Sequence, residues 1–191
     1  MTRPAQRPQP IPQVTAPRPP TGGMRWASAV SDAQDLAQAV ADAAGQVSGG
    51  LGGERADLLI AFVSPHHASH YRELPRLLRD ALPHQTLLGC SAGGVIGGGR
   101  EVEERPGLAL TAAHLPGVTC TPFAISSEDL PDSDAGPRVW HEALGIPPEP
   151  RSQFILLADP FSLPAEDLLA GMDFAYPAAQ KVGGLASAAR R

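Results

Sequence analysis

Gly89-Cys90-Ser91-Ala92-Gly93-Gly94-Val95-Ile96-Gly97-Gly98-Gly99 follows directly on the apolar run Thr86-Leu87-Leu88. The run reads as a short strand, and five of the ten residues after Gly89 are glycine, so the chain leaves a sheet and enters a loop that lies close to whatever it touches. Glycine has no Cβ. It takes φ > 0 readily and lets backbone N–H groups converge into a concavity that receives an anionic or carbonyl oxygen. The same glycines also suit a tight turn with a bulge, whose only task is close backbone packing.

Upstream, Asp57 to Val63 is a continuous apolar run of the kind found in strands buried on both faces, which predicts a central strand. Ser64-Pro65-His66-His67 then reads as a strand-to-helix loop, and Tyr71, Leu74, Leu77, Leu78 and Leu82 give the next helix its buried stripe. Pro75 has no N–H to donate and pushes its predecessor out of the α region, so that helix kinks or a second one begins there. Met24 to Val30 predicts a first strand, and Ser31-Asp32-Ala33-Gln34 has the capping-box spacing, with Ser31 as N-cap. Leu36, Val40, Ala43, Ala44 and Val47 form the stripe of the helix that follows, and Ser48-Gly49-Gly50 ends it.

Downstream of the glycines, Leu108 to Leu115 and Val118 to Ile125 are apolar runs separated by Pro116-Gly117, the central pair of a type II turn, which predicts an antiparallel hairpin and a mixed sheet. Asp134 to Leu144 predicts a short helix ended by Gly145, and Pro147-Pro148-Glu149-Pro150 a stiff connector. Gln153 to Ala158 predicts another buried strand ending at Asp159-Pro160. Pro164 and the acidic pair Glu166-Asp167 suit the first turn of a helix through about Phe174. Lys181-Val182-Gly183-Gly184 starts a last strand or turn. The fold class is α/β, a mixed β-sheet with flanking helices.

The 191 residues suffice for one domain with a substantial core. Residues 1–23 carry seven prolines and little large apolar surface, which predicts a disordered Pro-rich tail before a domain over 24–191, or an upstream start codon with Met24 as the true beginning. A net charge of −5 gives no electrostatic footprint for nucleic acid. Cys90 and Cys120 belong to no C-x-x-C pair, so neither a disulfide framework nor a zinc site is indicated. There is no run long enough for a membrane span and no apolar core of a signal peptide, so the expectation is a cytoplasmic protein with no cofactor.

Several constellations invite chemistry. Gly89-Cys90-Ser91-Ala92-Gly93 satisfies G-x-S-x-G, the nucleophile-elbow pattern of serine hydrolases, but an elbow needs a helix directly after the serine, and the following glycines disfavour one. Its acid and histidine would have to come from Asp132 or Asp134 and His141. His66 and His70 stand at i, i+4, a spacing that pairs imidazoles on a helix face, yet no third metal ligand is evident. A nest at Gly93-Gly94 together with one carboxylate of Glu101, Glu103 and Glu104, or with Asp159 at a strand end, offers an N–H cradle for a carboxylate and a carboxylate for an ammonium, the complementarity an amino acid needs. Glu101, Glu103 and Glu104 also suit a plain solvated face, and Asp159 an Asx turn before Pro160.

Leu-Leu-Gly-Cys-Ser-Ala-Gly-Gly-Val-Ile-Gly with Glu101 soon after, the strand ending at Ser64, the Ala158-Asp159-Pro160 strand end and Lys181-Val182-Gly183-Gly184-Leu185-Ala186-Ser187 together resemble the N-terminal domain of FIST (F-box and intracellular signal transduction) proteins. The resemblance implies a sensory module that binds a small ligand such as an amino acid and acts through a signalling partner protein, with an interaction scaffold of the F-box-linked type as the alternative. The residues expected to meet ligand are Ser64, His66, Gly89, Cys90, Ser91, Ala92, Gly93, Gly94, Glu101, Asp159, Gly183 and Gly184. Family members continue past the second glycine motif, so the resemblance also implies that this chain stops within the domain.

Overall fold

The apolar run at residues 57–63 is an interior strand. In the computed structural model, which describes residues 23–132, 134–149 and 151–188, the main sheet comprises β1 (Arg25–Ser31), β6 (Leu108–His114), β2 (Ala56–Val63) and β3 (His84–Ser91), in that order. The tail expected over residues 1–23 lies, apart from Gly23, outside the described residues. β2 runs parallel to β3 and antiparallel to β6, which also pairs antiparallel with β1. The sheet is mixed, as the sequence predicts.

One face of this sheet is closed by α1 (Leu36–Gly50) and α2 (Leu74–Ala81). Leu59, Ala61, Val63, Leu108, Leu110 and Ala112 pack there against Val40, Ala44, Val47, Leu74 and Leu78. The opposite face is closed in two pieces. A hairpin of β4 (Gly94–Gly97) and β5 (Arg100–Glu103) buries Val95 and Val102 on Val30 and Ala109. Farther along, Ile155 of β7 (Phe154–Ala158) packs on Leu58, Ala113 and Leu115. β7 pairs in parallel with β8 (Lys181–Leu185), and α4 (Ala165–Ala175) and α3 (Pro137–Leu144) back that pair through Phe154, Leu156, Leu168, Met172 and Trp140. Four layers result: helices, main sheet, β7–β8, helices.

Four local expectations differ. The N-cap of α1 is Asp35, whose carboxylate accepts from the Gln38 amide at 2.9 Å; Ser31 remains in β1 and donates its hydroxyl to Asp42 at 3.2 Å, tying strand to helix. After β2 the chain makes a 3-10 helix, Pro65–His70, where a loop was expected, while α2 begins beside Pro75, the second of the two outcomes expected of that proline. The loop expected from Gly89 onward is largely strand: β3 continues to Ser91, and Gly98-Gly99, with φ of 57° and 78°, form the two-residue turn of the β4–β5 hairpin. Positive φ at both central positions matches the right-handed strand twist, and glycine adopts it without strain.

The hairpin expected from Leu108 to Ile125 does not form. Its turn does, since Gly117 has φ of 80° and the Val118 amide bonds the Leu115 carbonyl at 3.1 Å. But β6 already has β1 on one edge and β2 on the other, so no edge is free for a third strand. The segment crosses to the outer layers instead, placing Cys120 against the main sheet and Phe123 and Ile125 in the core around Trp140.

That second core is tight where α3 meets α4. A Cβ on Gly171 would run into the ring of Trp140, which is fully buried. Gly171→Ala is therefore expected to destabilise the protein by roughly 1–3 kcal/mol, through overpacking against a ring with nowhere to move. A lowered urea midpoint with an unchanged m-value would confirm it.

Candidate functional site

Between the exposed part of the main sheet and the β7–β8 pair lies a cavity of about 310 Å³, lined by Ile60, Phe62, Cys90, Ala92, Thr111, Ile155, Leu157, Gly183, Gly184 and Leu185. Side-chain alternation explains the set. In β2, Leu59, Ala61 and Val63 face the helices, so Ile60 and Phe62 face the cavity; in β3, Cys90 pairs with Phe62 and shares its face. The wall is apolar apart from the Cys90 thiol and Thr111, whose hydroxyl donates to Ser28 at 3.1 Å. Burial pushes the Cys90 thiol pKa up, which keeps it protonated and uncharged.

At the rim the two glycine motifs touch. The Gly93 amide donates to the Ser187 hydroxyl at 2.9 Å, joining the end of β3 to the end of β8. Next to it, the Glu103 side chain folds over Gly94, where an added Cβ would lie 3.0 Å from Glu103 Cγ and 3.2 Å from its Oε1. The Gly93 N–H, half of the expected nest, thus already has an oxygen partner.

Of the residues expected to meet ligand, Cys90, Ala92, Gly183 and Gly184 line the cavity, with Gly93 and Gly94 beside it. The others lie elsewhere. Ser64 is buried and committed: its hydroxyl accepts from the Gly107 amide at 2.9 Å, its own amide donates to the Gly107 carbonyl at 2.8 Å, and its carbonyl accepts from the Tyr71 hydroxyl. His66 is exposed. Gly89 lies opposite Ala61 in the ladder, where a Cβ would strike the Ala61 carbonyl, and Ser91 pairs with Val63 on the helix-facing side. Glu101 stands across from the exposed Ile96 on the outward face of the hairpin. Asp159 caps its own loop, accepting from the Phe161 amide at 3.0 Å and the Ser162 hydroxyl at 2.9 Å.

The hydrolase pattern finds a different local geometry from an elbow. Ser91 is followed by a β-hairpin, and His141 directs Nε2 to the Ala175 carbonyl at 3.0 Å and packs at a tilt of 59° against the Tyr176 ring. His66 and His70 fall on a 3-10 helix, where i and i+4 do not share a face, and among the described residues no three His, Cys, Asp or Glu side chains gather as a metal site would need. No helix among the described residues is long and apolar enough to cross a membrane.

The sequence profile of the FIST N domain matches residues 57–191. The chain belongs to the FIST N domain family. Its relatives include uncharacterized proteins of Mycobacterium tuberculosis strains CDC 1551 / Oshkosh and ATCC 25618 / H37Rv, each 27% identical over 168 residues, which is 88% of this chain and 42% of the relative. An uncharacterized protein of Mycobacterium bovis is 26% identical over the same shares. The chain therefore spans less than half the length of the curated relatives it matches. No solved structure matches it significantly. The match takes in β2 onward, and so every residue lining the cavity of this FIST N domain.

Sequence reasoning missed the cavity's apolar wall. Ile60, Phe62, Ile155 and Leu157 sit in continuous apolar runs, where no alternation tells one face from the other. It also gave Ser187 no role, although the residue lies within the second glycine motif.

Two bracing groups carry predictions. Ser64→Ala leaves the buried Gly107 N–H without its acceptor and is expected to cost about 1–3 kcal/mol of stability, measured by urea unfolding. His67 is buried with no partner for Nε2 among the described residues, and burial, then His66 and His70, push its pKa below the ordinary 6.5, while Asp35 pulls the other way. The fold thus favours the neutral imidazole, so the stability His67 contributes is present above pH 6.5 and is lost as pH falls below it. The urea midpoint should drop from about pH 7 to about pH 5.5, and His67→Phe should flatten that slope.

Proposed function

We propose that this FIST N domain is the small-ligand-binding sensory module of a signal-transduction protein, with the cavity between the two glycine motifs as its site and an amino acid as its ligand. The observation that carries the reading is the Gly93–Ser187 hydrogen bond: two glycine motifs far apart in sequence meet at the mouth of an apolar cavity of ligand size. The Glu103 carboxylate beside Gly94, with no hydrogen bond or ion pair among the described residues, suits an ammonium group, and the cavity suits a side chain. Glu103 is one of the three carboxylates the sequence offers for this part, and in this reading it replaces Glu101 among the expected ligand contacts. Sensing then works by population shift: ligand held between β3 and β8 favours one arrangement of the glycine motifs, which a partner protein reads.

Thermal unfolding of the full chain against a panel of amino acids tests the reading. A ligand that binds only the folded state adds about 2.7 kcal/mol at a hundredfold excess over its Kd, an upward shift that a melting curve resolves. Glu103→Gln is expected to weaken that ligand about tenfold, ~1.4 kcal/mol, by removing one charge-assisted contact at an exposed rim. A cooperative transition that no amino acid moves would sink the reading and favour a protein-interaction scaffold.

A further inference from the structure

β2–α2–β3 and β7–α4–β8 are two copies of one βαβ unit. In each, a strand ends in a proline-bearing turn, Ser64-Pro65 or Asp159-Pro160, and a helix leads to a parallel partner strand. Gly89 sits opposite Ala61 and Gly183 opposite Leu156, and at both glycines a Cβ would collide with the carbonyl of that partner. The same backbone bond closes both ladders, from the Ala92 amide to the Val63 carbonyl at 3.0 Å and from the Ala186 amide to the Ala158 carbonyl at 2.8 Å. The helix covers corresponding faces, Leu59 and Ala61 in one unit, Phe154 and Leu156 in the other.

On this register Ile60 corresponds to Ile155, Phe62 to Leu157 and Cys90 to Gly184, and all six line the cavity. Gly93 corresponds to Ser187, so the bond at the rim joins equivalent positions, as contacts on a two-fold axis do. The cavity therefore lies where two repeat units face each other. The units differ there in one informative way: where the first has the Cys90 side chain, the second has Gly184, and a Cβ on Gly184 would meet no described residue within 4 Å. The replacement leaves an open slot bounded by aliphatic and aromatic groups. None of the lining residues is charged.

We infer that this slot between the repeat units receives an uncharged apolar group of ring size, an aromatic ring or branched aliphatic chain, which selects the ligand. A charged group in it would lose its hydration with no partner in return. The inference rests on the sensory reading above and adds the class of side chain accepted.

Cys90 itself reports occupancy. In the full chain carrying Cys120→Ser, so that Cys90 is the sole thiol, the rate of N-ethylmaleimide addition is measured with L-phenylalanine, L-leucine, indole, L-glutamate and L-lysine, alongside the melting temperature. The apolar probes are expected to slow modification about tenfold at tenfold excess over Kd, and the charged amino acids to leave it unchanged. Gly184→Leu, which fills the slot from the second unit, should abolish the protection. Protection by glutamate or lysine overturns the inference, as does protection that persists in a folded Gly184→Leu protein. If charged amino acids raise the melting temperature without shielding Cys90, the inference falls while the sensory reading stands. If no probe changes either quantity, both fall.

Discussion

A sheet whose central strand is apolar on both faces must be covered on both, and this requirement shapes the molecule. β2 is such a strand, with Leu59, Ala61 and Val63 on one side and Leu58, Ile60 and Phe62 on the other. Helices satisfy the first side, as in other α/β folds. The second is satisfied by the β4–β5 hairpin at one end and by β7 at the other, and the cavity is the space left between the main sheet and the β7–β8 pair. The site is thus a consequence of how the second face is closed, rather than a pocket cut into a finished core.

The close approach that makes this possible depends on missing side chains at a few points. Gly97 passes so near the Ala29 carbonyl that a Cβ there would collide with it, and a Cβ on Gly107 would lie 2.8 Å from Val95 Cγ2. The hairpin lies flat on the sheet because both positions are bare. Ser64 then fixes the same corner from below, exchanging two hydrogen bonds with Gly107 at the end of β2. Buried polar groups are paired there, as the burial of Ser64 and Gly107 requires.

The rim is held differently. One hydrogen bond between Gly93 and Ser187 joins motifs 94 residues apart, and Glu103 stands beside Gly94 on the second strand of the hairpin. A contact of that strength is worth about 1 kcal/mol net, small enough for a bound molecule to shift.

Apolar runs, proline and glycine placed the strands at 57–63, 86–88 and 153–158, the helix start beside Pro75 and the Gly145 stop, because those signals act over a few residues. Family membership was legible as well, since the two glycine motifs and the strands before them are local patterns. The face each strand turns to the cavity was not legible: Ile60 and Leu59 look alike in a run buried on both sides. Nor was the fate of Val118 to Ile125, whose turn was read correctly but whose partner edge was already occupied by β1 and β2. The sequence by itself determined which segments are buried and where the backbone must be bare. Only the tertiary structure decided which segments face one another, because pairing and layer order depend on edges and faces that distant parts of the chain compete to fill.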